Sequence, residues 1–438
     1  MKRFLISFLI LFGVISAHAG ELINVQYLHN LISRKHQVDV KYNTSLDSPG
    51  MAVNMKYLMT AVDIANKKLN GVATTDYANG EFATLDAVDT IAAIDAVNRL
   101  IKKTVVDEEE EETEFEPPEF WVVPAGTSTS FSFNIAAAGT FYIDCGDGSA
   151  VKTVTKADAS NESVSCSYSD AASNYKVGIS GQATAYSTNV ETPAVSFKGS
   201  RSFSTTPKIS SIEGCLGCVF STLESGEPKQ PRFFETFANN STMTSLPDEL
   251  FSGIYGDSVS HMFRRTFQYC SGLKSLPSGL FAGLRGQPAE EMFSSTFERC
   301  TALESLPPGL LDAFYGVPVY KMFNNTFTKC TSLKEIPSGL FKNINGAPAA
   351  KVFNYTFSEC TKLTSIPDDL FGDISGDLAD ETFTYMFYGC TGLTGDSAKI
   401  NGQYLYEIWP DATAAQVQNM YQNCSKLDDY STMPEVWR

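Results

Sequence analysis

The chain has 438 residues, 43% of them hydrophobic and 19% charged, with a formal net charge of −17. That length exceeds what one hydrophobic core supports, and the composition is globular rather than disordered. The excess of acid repels nucleic acid and anionic lipid, so neither is an expected partner.

Residues 1–19 read as a secretory signal peptide of bacterial style. Lys2 and Arg3 precede an apolar run, and Ala17-His18-Ala19 supplies an A-x-A cleavage site. The apolar run is too short to cross a bilayer, and no later run reaches about 18 apolar residues. The protein is therefore expected to be exported without spanning a membrane. Its destination is extracellular or the cell surface, with the periplasm as the alternative. No cysteine follows the apolar run and no hydrophobic tail closes the chain, so no mode of anchoring is visible. Export places the ten cysteines in a compartment that permits disulfides.

Residues 20–105 carry two helical stripes. Met55, Leu58, Met59, Val62, Ala65 and Leu69 share one face, and Leu85, Val88, Ala92, Ile94, Val97 and Ile101 share another. These predict a small α-helical domain burying its own stripes. Residues 106–119 hold a run of acids with Pro117-Pro118 and predict an extended, solvated linker.

Residues 120–200 alternate as β-strands do. Phe131, Phe133 and Ile135 are separated by polar residues, and Phe141 and Ile143 repeat the pattern before the turn dipeptide Asp147-Gly148. The carboxylates of Asp144 and Asp147 are expected to satisfy backbone N–H groups of that turn rather than to hold calcium. The motif Asp144, Gly146-Asp147-Gly148-Ser149, Tyr168 and Tyr175-Lys176-Val177 resembles the PKD-type immunoglobulin-like sandwiches. Cys145 and Cys166 depart from that family's pattern, on segments the family holds close together. The resemblance thus implies a Cys145–Cys166 disulfide.

Residues 201–236 read as a capping coil, because Phe203, Ile209, Ile212, Leu216 and Phe220 follow the spacing of the repeats after it. Cys215 and Cys218 within it form a C-x-x-C. With no second such pair and no βαβ pattern, they read as a local disulfide staple or two buried thiols rather than a zinc or redox site.

Residues 237–420 repeat with a period of thirty. One column reads Phe237, Phe267, Phe297, Phe327, Phe357 and Phe387. Three residues on stand Asn240, Cys270, Cys300, Cys330, Cys360 and Cys390, and three further Met243, Leu273, Leu303, Leu333, Leu363 and Leu393. Such self-similarity is the signature of a stacked array. In residues 287–310, Phe293, Phe297 and Cys300 share a helical spacing, so each coil is predicted to hold a helix followed by a short extended piece ending at proline. Residues 421–438 restart the register as a C-terminal partial coil.

The F-x-x-C-x-x-L unit resembles the BspA-type leucine-rich repeats of bacterial surface proteins, although its coils are longer than that family's commonest units. The extra residues gather around Gly256, Gly286, Gly316, Gly346 and Gly376. The resulting expectation is a multi-domain chain: the helical N-terminal domain, a PKD/Ig-like β-sandwich, then an α/β leucine-rich-repeat solenoid with 30-residue coils. The Cys/Asn column is expected to be structural, a row of buried free thiols. Parallel side chains in neighbouring coils are poorly placed for a disulfide torsion.

The functional expectation is a binding surface. No H-E-x-x-H, G-x-S-x-G or phosphate-cradling loop occurs, and the ladder cysteines have no neighbouring histidine, so no enzyme, cofactor or metal is predicted. The outward residues of the extended pieces are Lys274, Ser275, Glu304, Ser305, Lys334, Glu335, Thr364 and Ser365. They form the candidate binding face. The resemblance implies surface display and adhesion or protein–protein binding, with an unknown protein or glycan on a host or neighbouring cell as partner. The alternatives are a self-assembling envelope component and carbohydrate binding through the β-sandwich.

Overall fold

The structure, a computed structural model, describes residues 118–199, 208–284 and 286–438. The expected signal peptide, the helical domain, the linker as far as residue 117, and Phe203 lie outside the described residues.

Two antiparallel sheets open the described chain. Strands β1 (Phe120–Pro124), β3 (Ala137–Asp144), β4 (Lys152–Lys156), β6 (Val177–Tyr186) and β8 (Ile209–Gly214) make a five-stranded sheet in the order β4-β3-β6-β1-β8. Strands β2 (Ser130–Ile135), β5 (Glu162–Ser167) and β7 (Val195–Ser196) make a three-stranded sheet in the order β5-β2-β7. The alternation dictates which side is buried: Phe131, Phe133, Ile135, Phe141 and Ile143 are in the core, as are Phe120, Val122, Val177 and Ile179. Cys145, just after β3, is disulfide-bonded to Cys166 on β5 and so ties one sheet to the other.

The expected capping coil is divided between two tasks. Its first part is β8, paired along β1 in the five-stranded sheet. Its second part, the single-turn helix α1 (Leu216–Val219), carries Leu216, Val219 and Phe220 into the core beneath the first coil. Cys215 and Cys218 are joined across this turn.

The expectation of an α/β leucine-rich-repeat solenoid is not met. The described chain is mostly β-sheet and turn, with very few helical residues and no closed solenoid. Described α-helices are single turns, and none lies between residues 220 and 404. The segment expected to be helical is instead a ribbon of consecutive turns. In one coil the N–H groups of Lys321, Phe323, Asn325, Phe327 and Lys329 donate to the carbonyls of Ala350, Val352, Asn354, Thr356 and Ser358 in the next coil, at 2.8–3.1 Å. The intervening N–H groups of Met322, Asn324, Thr326, Thr328 and Cys330 close turns on carbonyls three residues back, at 3.1–3.2 Å. All ten N–H groups of residues 321–330 thus find a partner. A helix directs each N–H to its own preceding turn and leaves none to join one coil to the next.

The alternation requires a left-handed residue at every fourth position. Lys321, Asn325 and Lys329 have φ of 52°, 56° and 61°, and Glu291, Ser295 and Arg299 repeat this one coil earlier. None of these is glycine, so each carries a cost of about 1–2 kcal/mol. The inter-coil hydrogen bonds and the aromatic stack offset it. Ser295→Val, which places a branched side chain at φ 56°, is therefore expected to destabilise the protein by about 2 kcal/mol. Ser295→Gly should stay within about 1 kcal/mol of the parent, since relief of strain and added unfolded-state entropy oppose each other. Urea denaturation of both variants checks the difference.

Inward, the ribbon stacks its aromatic side chains. Phe237, Phe267, Phe297, Phe327, Phe357 and Phe387 lie face to face with centroids 5.4–5.7 Å apart, and Tyr421 continues the row at 5.7 Å. Phe197, just after β7, extends it in the other direction at 5.8 Å from Phe237. These separations suit offset aromatic pairs. A second row runs Phe233, Phe263, Phe293, Phe323, Phe353 and Phe383. The sheet also supplies the array's first hydrogen bonds. Ala194, Phe197 and Gly199 donate to Arg232, Thr236 and Ala238 at 2.8 Å each, so the sandwich acts as the preceding coil. At the far end Tyr421 N–H donates to the carbonyl of Trp437, which is buried.

Candidate functional site

Each coil presents three surfaces, and their chemistry differs. The outer face of the ribbon is closed by its own side chains. Glu291 collects His261, Arg264 and Lys321 at 3.3, 3.0 and 3.3 Å. Lys351 pairs with Glu381 at 3.0 Å and Lys329 with Glu359 at 3.1 Å, while Tyr355 stacks on Tyr385 at 4.5 Å. Burial and the Arg264 guanidinium hold the His261 pKa below its usual value, outweighing the attraction of Glu291. Partners one coil away thus satisfy much of this surface.

The second surface is the candidate face read from sequence. Lys274, Ser275, Glu304, Ser305, Lys334, Glu335, Thr364 and Ser365 are all exposed, in two adjacent columns. The backbone beneath them is extended but makes one rung per coil. Lys274 N–H donates to Thr244, Glu304 to Lys274, Lys334 to Glu304 and Thr364 to Lys334, at 3.0–3.2 Å. Lys334 lies 2.7 Å from Glu304 and, with its hydrogen bond, draws the Glu304 carboxyl below its usual pKa. This face is polar and carries no aromatic ring.

The third surface is the edge built on the glycine column. Gly256 bridges Leu284, Gly286 bridges Phe314 and Gly316 bridges Ile344, each in parallel. Gly316 has φ of 110°, and the Gln287 side chain from the preceding coil lies across it, 2.5 Å from where a Cβ would stand. Side chains of this edge therefore lean from coil to coil over glycine. Here stand Tyr255, Tyr315 and Val317, exposed by 48%, 55% and 51%. With Tyr320, exposed by 36%, they are the exposed large hydrophobics of the described residues, but Tyr320 opens the ribbon, where its carbonyl accepts from Glu291 N–H and Lys321 lies 4.9 Å from its ring. Sequence reasoning passed over them because it sought aromatic residues among the outward positions of the extended piece. The signal was present: a tyrosine precedes the column glycine at Gly256 and at Gly316, within the residues that lengthen the unit.

The comparisons bring no relative to this geometry. No protein-family model, no curated protein and no solved structure matches the chain.

The Cys/Asn column lies inside. Cys270, Cys300, Cys330, Cys360, Cys390 and Cys424 are free and buried. Each thiol donates to the carbonyl of a column phenylalanine in the preceding coil, at 3.0–3.3 Å. Burial raises every one of these pKa values, to about 12 for Cys270 and Cys424. The reactive thiolate is therefore suppressed. In the native protein none of the six is expected to react with a thiol reagent at neutral pH. Denaturant alone should release six thiols, and denaturant with reductant all ten, in a colorimetric titration.

Elsewhere the polar clusters close on themselves. Asp144 accepts from Gly146 N–H at 2.8 Å, and Asp147 accepts from Ser149 N–H and Oγ at 2.9 and 2.5 Å. Among the described residues, no three of His, Cys, Asp and Glu are gathered as a metal-ligand set. An open groove of about 580 Å³ separates the sandwich from the first coil, lined by Trp121, Glu213 and Glu249. The indole is already occupied, because Lys176 sits 5.0 Å above its ring and 2.5 Å from Glu213. Among the described residues, no helix is long and apolar enough to cross a membrane.

Proposed function

We propose that this is an exported, non-enzymatic surface protein whose stacked array is displayed for adhesion, binding a protein or glycan of a host or neighbouring cell. One observation carries the reading. Tyr255, Tyr315 and Val317, three of the four large exposed hydrophobic side chains of the described residues, lie on one edge of the array, while the ribbon face is largely neutralised by its own ion pairs. Clustered exposed aromatic residues mark interaction surfaces. The sandwich covers one end of the array. The resemblance of the F-x-x-C-x-x-L unit to surface-protein repeats points the same way.

Protease shaving of intact producing cells, followed with antibody to residues 208–438, tests the proposal. Loss of the array from intact cells is the expected result. Protection until the envelope is opened would refute surface display.

A further inference from the structure

The one histidine among the described residues is built into the seam between the sandwich and the array. The His261 side chain is 16% exposed. Its Nε2 lies 3.3 Å from the Glu291 carboxylate of the next coil and 3.4 Å from the Arg264 guanidinium of its own. Arg264 in turn spans two acids. Its Nε is 3.0 Å from Glu291, and its Nη1 is 3.2 Å from Glu191, on the connection between β6 and β7. Lys321, one coil further on, reaches Glu291 at 3.3 Å. Arg232, from the preceding coil, donates instead to the carbonyls of Ser260 and Ser187. Glu290 meets His261 through its backbone carbonyl, and its side chain is exposed. With the imidazole neutral, the two carboxylates of this group balance its two cations, Arg264 and Lys321.

A proton on His261 upsets that arrangement in two ways. While Nε2–H faces Glu291, the proton enters at Nδ1. That atom is buried and has no hydrogen-bond partner among the described residues, so a new N–H there lacks an acceptor. The proton also sets a third cation beside a carboxylate that already serves two, and its charge repels Arg264. Burial and the Arg264 guanidinium accordingly hold the His261 pKa below its ordinary value.

We propose that His261 is an acid-sensitive latch: its protonation breaks the chain Glu191–Arg264–Glu291 and frees the connection between β6 and β7 from the array. That connection is residues 187–194. Arg232 pins both of its ends, through the Ser187 carbonyl and the Ala194 N–H. Between them, Arg264 holds Glu191. A histidine with a lowered folded pKa adds stability that is present above its ordinary value and is lost as pH falls through the folded one. The closed seam thus belongs to neutral surroundings and the loosened seam to mildly acid ones. The device is independent of what the array binds.

Hydrogen–deuterium exchange of the full chain tests the latch, read on residues 187–194 and corrected for the intrinsic effect of pH. Exchange is compared at about pH 7.5 and about pH 5.5, the lower value standing above the ordinary carboxylate range. A rise of about fivefold to tenfold on acidification is expected, tenfold being the ceiling one unit below the ordinary histidine pKa. His261→Asn should remove the rise, since asparagine tolerates the local φ of 62°. Glu191→Ala, at a 62% exposed position, should exchange fast at both values. No rise in the parent, a rise that survives His261→Asn, or slow exchange of Glu191→Ala at neutral pH overturns the proposal. Thermal melting near neutral pH establishes that each variant is folded. Should His261→Asn fail to fold, the parent and Glu191→Ala decide the matter.

Discussion

Phe327→Ala is expected to lower the free energy of unfolding by about 3–5 kcal/mol. The ring is 1% exposed and lies between Phe297 and Phe357, with centroids 5.7 and 5.4 Å away. Both backbone groups of Phe327 are also committed: its N–H donates to Thr356, and its carbonyl receives Cys330 N–H and the Cys360 thiol. The coil cannot collapse into the void without breaking that register, so the cavity remains. Tyr315→Ala, at a 55% exposed position, should change stability by less than about 0.5 kcal/mol. Urea denaturation of the two variants side by side is the measurement. A loss below about 1 kcal/mol for Phe327→Ala would mean that stability resides outside the aromatic row.

The second large effect is expected at Asn240, where the sandwich meets the array. Its amide donates to the carbonyls of Phe197 and Phe237 at 2.9 and 2.8 Å. Its oxygen accepts from the N–H groups of Lys208 and Ile209 at 2.8 and 3.0 Å. Asn240, Phe197, Phe237 and Ile209 are buried, and Lys208 is partly so. Later coils carry a cysteine here, whose thiol donates to a phenylalanine carbonyl in the preceding coil. Asn240→Leu should therefore cost about 3–5 kcal/mol by stranding several buried groups. Asn240→Cys should cost less, about 2–3 kcal/mol, since the thiol can replace the donor but leaves two N–H groups without an acceptor. Equal losses for the two variants would contradict this account.

These positions also show what was legible in the sequence. The columns themselves were, because a period of thirty aligns side chains whatever the backbone does between them. Strand alternation was legible too, in Phe131, Phe133 and Ile135 and their burial on one side of β2. The backbone of the repeat was not. Phe293 and Phe297 satisfy a helix and a four-residue turn ribbon equally, because both return to one face after four residues. The distinguishing mark is that Met292, Thr296 and Cys300 form an adjacent row with the same strict spacing of four. A helix of 3.6 residues per turn would carry that row off the buried side. The left-handed positions were invisible for a second reason: Lys, Glu, Tyr and Arg fill them where glycine would have been the signal. The exposed polar columns of the candidate face were placed correctly as outward, yet the tyrosine edge escaped, because its residues lie in the part of the unit with the weakest repeat.

The alternation of backbone donors has a mechanical consequence. Hydrogen bonds that join one coil to the next point along the axis of the stack, so a force pulling its two ends apart acts equally on every interface and the weakest one parts first. Coils should then peel singly, each releasing about 100 Å of chain, instead of yielding together as strands in shear do. The chain would lengthen in a series of small extensions at similar force, and the junction at Asn240 would set whether the first of them occurs at the sandwich.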